Sequence, residues 1–244
     1  MSPKSILSFL SGFLILFFIY HFPEFFSSFW LMATCKIGFL AVAFVLARVQ
    51  GWKGLGGYGL GLTNKWAADL LKGLMAGLFF FALSVFVSIQ LGYEEITVVS
   101  SFSQVLNQLP MLLLMTAIPS VAEDILTRGY LFAHLKFMKP FGWILLSSVV
   151  YVLNHIWRLT DGPAVLTYLF LLGLVLAAAV WIKRSLWLAF GIHWGANIAF
   201  ESTHSLVQTK TLVQHEGPVW ILAGTWALLL LVFVIKYRKK EKPI

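Results

Sequence analysis

The stretch "LLKGLMAGLFFFALSVFVSIQL", residues 70–91, runs for twenty-two positions with a single charge, Lys72. About 20 apolar residues in a helix cross a hydrocarbon core of ~30 Å, and a helix pairs every backbone N–H and C=O within the segment. Working outward, comparable apolar runs lie at about 6–22, 29–47, 105–137, 141–157, 163–182, 186–201 and 218–236. The chain therefore reads as an all-α, polytopic transmembrane helix bundle of about eight spans, forming one integral-membrane domain over residues 1–244. Composition agrees. A chain with 59% hydrophobic and 11% charged residues and a mean hydropathy of +0.86 is not an ordinary soluble domain.

The run at 105–137 is too long for one straight span, and Pro119 can remove a helix hydrogen bond in its middle, so a broken or kinked fourth helix is expected. The first run follows "MSPK", yet it is long and has no A-x-A-like cleavage site near "FIYHFPEFF", residues 18–26, and is expected to be retained. Cys35 is the single cysteine, so no internal disulfide forms.

Lys and Arg set the orientation, because cytoplasmic loops are enriched in them. Eight spans place both termini on one side, and that side collects fourteen basic residues against two, Arg158 and Lys210, on the other. Both termini are thus expected in the cytoplasm, and the short loops favour a bacterial inner or plasma membrane. The acidic Glu24, Glu94, Glu95, Asp161, Glu201 and Glu216 fall on the far side, which makes the net charge of +8 a topology signal and not a sign of nucleic-acid binding. The tail "KYRKKEKPI", residues 236–244, suits anionic lipid headgroups. "GWKGLGGYGLGL", residues 51–62, contains G-x-G-x-x-G at Gly54, Gly56 and Gly59, but no βαβ unit surrounds it. It is read as a flexible cytoplasmic loop, and no nucleotide partner is expected.

Few ionisable groups remain at membrane depth: Lys36, Glu123, Asp124, Arg128, His155 and His193, with Asn197 as a polar neighbour. Each unpaired charge there costs at least ~2.5–3.5 kcal/mol, so partners or a hydrated cavity must offset it. Asp124 and Arg128 are four apart, share a helix face and read as an ion pair. Glu123 is rotated by about 100° from Asp124 and needs another partner. "YVLNH", residues 151–155, aligns Tyr151 with His155, and "HWGAN", residues 193–197, aligns His193 with Asn197. Any one of these polar groups alone reads as interhelical glue. Three separate spans supplying them point to one shared cavity. At 1.5 Å per residue, Glu123 and His155 lie about 20 Å, and His193 about 12 Å, from the cytoplasmic ends of their spans.

The ordered motifs "EDILTR" (123–128), "YVLNH" and "HWGAN" resemble those of the CPBP family, the CAAX prenyl endopeptidases and bacteriocin-processing intramembrane proteases. The resemblance covers about residues 70–201, with Asp124 and Tyr151 standing where Glu and Phe are common. It implies peptide-bond hydrolysis inside the bilayer. Glu123 would be general base and acid, His155 would orient the water, and His193 with Asn197 would stabilise the oxyanion, while Asp124, Arg128 and Tyr151 support the helices. Alternatively Glu123, His155 and His193 would hold one divalent metal such as zinc, which takes three protein ligands and a water. The substrate would be a membrane-embedded or lipid-anchored peptide or protein, among membrane lipids. H-E-x-x-H, G-x-S-G and paired intramembrane aspartates are absent from the sequence. Two other classes stay open: a proton-coupled transporter, in which Glu and His relay protons, and a noncatalytic membrane scaffold.

Overall fold

A computed structural model describes residues 3–212 and 216–241, with side chains described from Ser5 to Lys236 in that range. Its helices are α1 (Pro3–His21), α2 (Phe29–Val49), α3 (Trp66–Gln90), α4 (Phe102–Asp124), α5 (Tyr130–His134), α6 (Pro140–Asn154), α7 (Pro163–Lys183), α8 (Trp187–Ser205) and α9 (Gly217–Glu241). The bundle expected from composition is present. Among the described residues, six segments are long and apolar enough to cross a membrane: Ser5–Phe25, Phe29–Val49, Trp66–Gln90, Phe102–His134, Pro163–Lys183 and Gly217–Lys236. The other two expected spans are helical but differ in kind. α6 has only 15 residues, and α8 interrupts its apolar run with His193, Asn197 and Glu201. Large apolar side chains such as Phe18, Phe79, Phe86 and Leu114 point outward, the surface that lipid rather than water satisfies. The protein is an integral membrane protein. In the basic tail, the side chains beyond Lys236 lie outside the described residues.

The fourth span differs from the expectation of a break at Pro119. The helix passes through both Pro110 and Pro119 without ending. Hydroxyls take up backbone carbonyls beside the second proline: Thr116 donates to the Leu112 carbonyl at 2.7 Å and Ser120 to the Thr116 carbonyl at 2.6 Å. The irregularity comes later. Ile125–Gly129 is π-helical, and the Tyr130 N–H reaches back five residues to the Ile125 carbonyl. Such segments carry an extra residue in one turn and recur at functional sites.

The all-α bundle carries one small addition in its connections. β1 (Glu94–Val99) and β2 (Val207–Thr211) form an antiparallel ribbon that ties the α3–α4 connection to the α8–α9 connection. Its β-branched run Ile96, Thr97, Val98 and Val99 suits a pleated strand, and Glu95 stands opposite Lys210.

α8 lies tightly along α3 because glycines meet on both sides. A Cβ at Gly73 would sit 2.3 Å from the Leu188 carbonyl oxygen, and one at Gly77 would sit 2.1 Å from that of Ile192. On the facing helix, Gly191 and Gly195 would each place a Cβ 2.3 Å from a carbonyl of α3. Two small-xxx-small pairs thus interlock, the arrangement by which membrane helices approach closely without a hydrophobic driving force. An ion pair from Lys183 to Asp69 at 2.6 Å links α7 to the start of α3.

The glycine-rich segment is folded rather than a flexible loop. Gly54–Tyr58 is a 3-10 turn with Tyr58 fully buried. Gly54 and Gly59 take φ of +62° and +93°, a region that glycine enters without steric cost. The Gly59 carbonyl accepts the Leu186 N–H at 2.9 Å and the Ser185 hydroxyl at 3.1 Å, which seats the turn under α8.

Candidate active site

Glu123 and Asp124 close α4 immediately before the π-helical segment. Both carboxylates are buried, and they aim at different neighbours. Glu123 Oε1 accepts the Asn154 amide N–H at 3.0 Å and faces His155 Nδ1 at 3.6 Å, while Oε2 faces His193 Nε2 at 3.6 Å. The acid thus lies between two imidazoles from two other helices. Asp124 pairs with Arg128 and faces His193 Nδ1 at 3.3 Å. A carboxylate only accepts, so His193 gives Asp124 its Nδ1–H and turns Nε2 toward Glu123.

His155 follows the last residue of α6 and folds back on it, with Nδ1 donating to the Tyr151 carbonyl at 2.9 Å. The Tyr151 ring meets His155 edge-on at 4.7 Å and His193 at 5.9 Å. Its face carries the Arg128 guanidinium at 4.3 Å. Tyr151 therefore ties the ion pair to both histidines. Asn197 lines the same cavity, and its amide donates to Ser120 at 2.9 Å. One of its two N–H groups remains available.

A cavity of about 380 Å³ joins this cluster to the ribbon. Glu123, Tyr151, His155, His193 and Asn197 line one part of it, and Glu94, Thr209 and Thr211 line the ribbon end. Burial pushes the Glu94 carboxyl above its ordinary value. A smaller space of about 170 Å³ lies behind Glu123, toward Tyr20, Glu24 and Trp157.

Sequence reasoning passed over the residues behind the acid. Asn154 stands beside His155 in the motif and is the direct hydrogen-bond donor to Glu123. His21 backs Asn154 at 3.0 Å and meets Glu24 at 2.6 Å. Lys36, expected to be a buried charge, donates to Glu24 at 3.0 Å and to the Tyr20 carbonyl at 2.9 Å. The readable signals were an Asn adjoining a motif His and a lysine inside an apolar span.

Among the described residues, no group of three or more His, Cys, Asp or Glu side chains is arranged to hold a metal ion. The nitrogen that His155 turns toward Glu123 is the one already engaged by the Tyr151 carbonyl, so three free donors do not converge.

Residues 105–199, the stretch that contains all three motifs, match the family model described as Type II CAAX prenyl endopeptidase Rce1-like. Comparison with curated proteins finds no match for the chain.

Proposed function

On the premise that residues 105–199 carry the core of the Rce1-like CAAX endopeptidases, a protease family, we propose that this protein is an intramembrane endopeptidase using Glu123 as general base and acid. The observation that carries the reading is a buried carboxylate set 3.6 Å from each of two histidines on a shared cavity. Gaps of that size exceed a direct hydrogen bond, and a water on the cavity side of the three groups lies within reach of each.

The substrate in this reading is water together with an amide. Glu123 takes a proton from the water as its oxygen bonds to the scissile carbonyl carbon. The carbonyl oxygen becomes an oxyanion. His193, when it carries both ring protons, donates through Nε2 while Asp124 holds its Nδ1–H, and the second N–H of Asn197 joins it in stabilising that charge. Removing one such donor typically costs about 2.7–4 kcal/mol of barrier. The C–N bond then breaks, and Glu123 returns the proton to the departing nitrogen. His155 orients the water. Arg128 neutralises Asp124, and Tyr151 keeps both histidines upright.

The cavity reaches the ribbon, so peptide enters from that side. Taken with the basic residues gathered on the opposite side, this favours cytoplasmic termini and a precursor whose cleavable segment is reached from the non-cytoplasmic face of a bacterial plasma membrane. An apolar or lipid-anchored segment would hold that precursor in the bilayer. The test is comparative membrane proteomics of cells carrying the parent or Glu123→Gln. Precursors that lose a terminal segment only with the parent support the assignment. If no peptide terminus differs, and a proton or solute gradient depends on Glu123 instead, the transporter reading replaces it.

A further inference from the structure

The first helical hairpin lies outside the matched residues 105–199, yet its polar side chains reach the catalytic acid. His21 and Asn154 are both buried, and they form an unbroken hydrogen-bonded chain with Glu123 at one end and Glu24 and Lys36 at the other. The Trp157 indole N–H also reaches Glu24, at 3.1 Å.

The chemistry of the groups fixes the direction of the bonds on either side of Asn154. Lys36 can only donate and an ionised carboxylate can only accept, whereas an amide has one donating and one accepting end. With Glu123 ionised, Asn154 must turn its NH₂ toward it and its carbonyl oxygen toward His21. His21 Nε2 must then donate to Asn154, while Nδ1 faces Glu24. Without a donor at His21, only Glu123 itself holds the amide against reversal, and reversal would point a carbonyl oxygen at the catalytic carboxylate.

We propose that His21, held by Glu24 and Lys36, is a positioning residue that fixes the Asn154 amide and through it the Glu123 carboxylate, so that the N-terminal hairpin completes the catalytic site. The inference rests on the proteolytic reading above. His21 touches neither substrate nor water and acts only through Asn154. Its effect is therefore contained within that of Asn154.

The experiment follows conversion of a precursor that the parent cleaves and Glu123→Gln does not, normalised to folded protein in the membrane. His21→Leu should slow conversion about tenfold, the scale of one hydrogen bond to a charged group. His21→Gln, which places an amide N–H near the lost imidazole Nε2, should stay close to the parent. His21→Leu combined with Asn154→Ala should be no slower than Asn154→Ala alone, since residues acting in one chain are not additive. Parental rates in His21→Leu, equal losses in the Gln and Leu variants, or a fully additive double variant would each overturn the positioning role while leaving the protease intact. Loss of the difference between the parent and Glu123→Gln would instead remove the proteolytic reading, and the inference with it.

Discussion

Replacing Gly77 by Ala tests whether the close approach of α3 and α8 sets the catalytic geometry. The new Cβ would lie 2.1 Å from the Ile192 carbonyl oxygen and 2.8 Å from the Ala196 nitrogen, both backbone atoms that cannot swing aside. Restoring an ordinary carbon–oxygen contact of about 3.3 Å forces the helices apart by roughly 1.2 Å at that point. Ile192 adjoins His193, whose Nε2 stands 3.6 Å from Glu123, so most of that movement is passed to the site. A displacement near 1 Å costs on the order of 10²-fold in rate when a reacting group leaves its productive geometry. Helix propensity works in the opposite direction, since Ala stabilises a helix interior by roughly 0.5–1 kcal/mol over Gly. The assay compares precursor conversion and membrane yield for the parent, Gly77→Ala and Gly38→Ala, the last being a position where a Cβ meets no atom within 4 Å. Conversion by Gly77→Ala within twofold of the parent at equal yield would refute the argument.

Breaking the buried Asp124–Arg128 pair through Asp124→Asn or Arg128→Gln should cost about 3–5 kcal/mol of stability in each case. The double variant should lose clearly less than the sum; strictly additive losses in detergent unfolding would exclude a pair. Glutamate chemistry predicts that purified protein keeps its cleavage rate after chelation, and elemental analysis finding stoichiometric zinc that disappears in His155→Ala and His193→Ala would count against it. At the ribbon, burial raises the Glu94 carboxyl. Its contribution to stability is complete below the ordinary carboxylate range and is lost as pH rises through the raised folded value. Glu94→Gln should accordingly raise Tm at neutral pH and lose that advantage in acid, as thermal scans at both pH values would show.

Composition and helical spacing carried much of this architecture. The apolar runs mark the α-helices, and the i,i+4 relation of Asp124 to Arg128 gives their pairing, because both are local properties of one helix. Tyr151, His155 and His193 line one cavity, but their meeting depends on how two helices pack and not on the spacing within either motif. Local pattern says nothing about which distant helix stands behind a site, so His21 and Glu24 were assigned to a span and a loop instead of to Glu123. Pro119 misled because proline's missing N–H is visible in sequence, whereas the continuation of α4 through it is not. The interlocking glycines at 73, 77, 191 and 195 were on the page as letters, but only the pairing of α3 with α8 gives them meaning.

The π-helical turn at Ile125–Gly129 has a consequence for how the acids can be aimed. Below it, Tyr130 is keyed to the first hairpin, its hydroxyl donating to the Phe9 carbonyl at 2.9 Å and accepting from Gln50 at 3.1 Å. Above it, Glu123 and Asp124 face the histidines of the other two motifs. One residue in a regular helix is worth about 100° of azimuth. The extra residue in this turn therefore acts as a phase shifter, allowing the anchored end and the acidic end of one rod to keep different angular settings. Deleting a single residue there would leave every side chain of both ends in the chain and swing the two carboxylates around the rod, away from their partners.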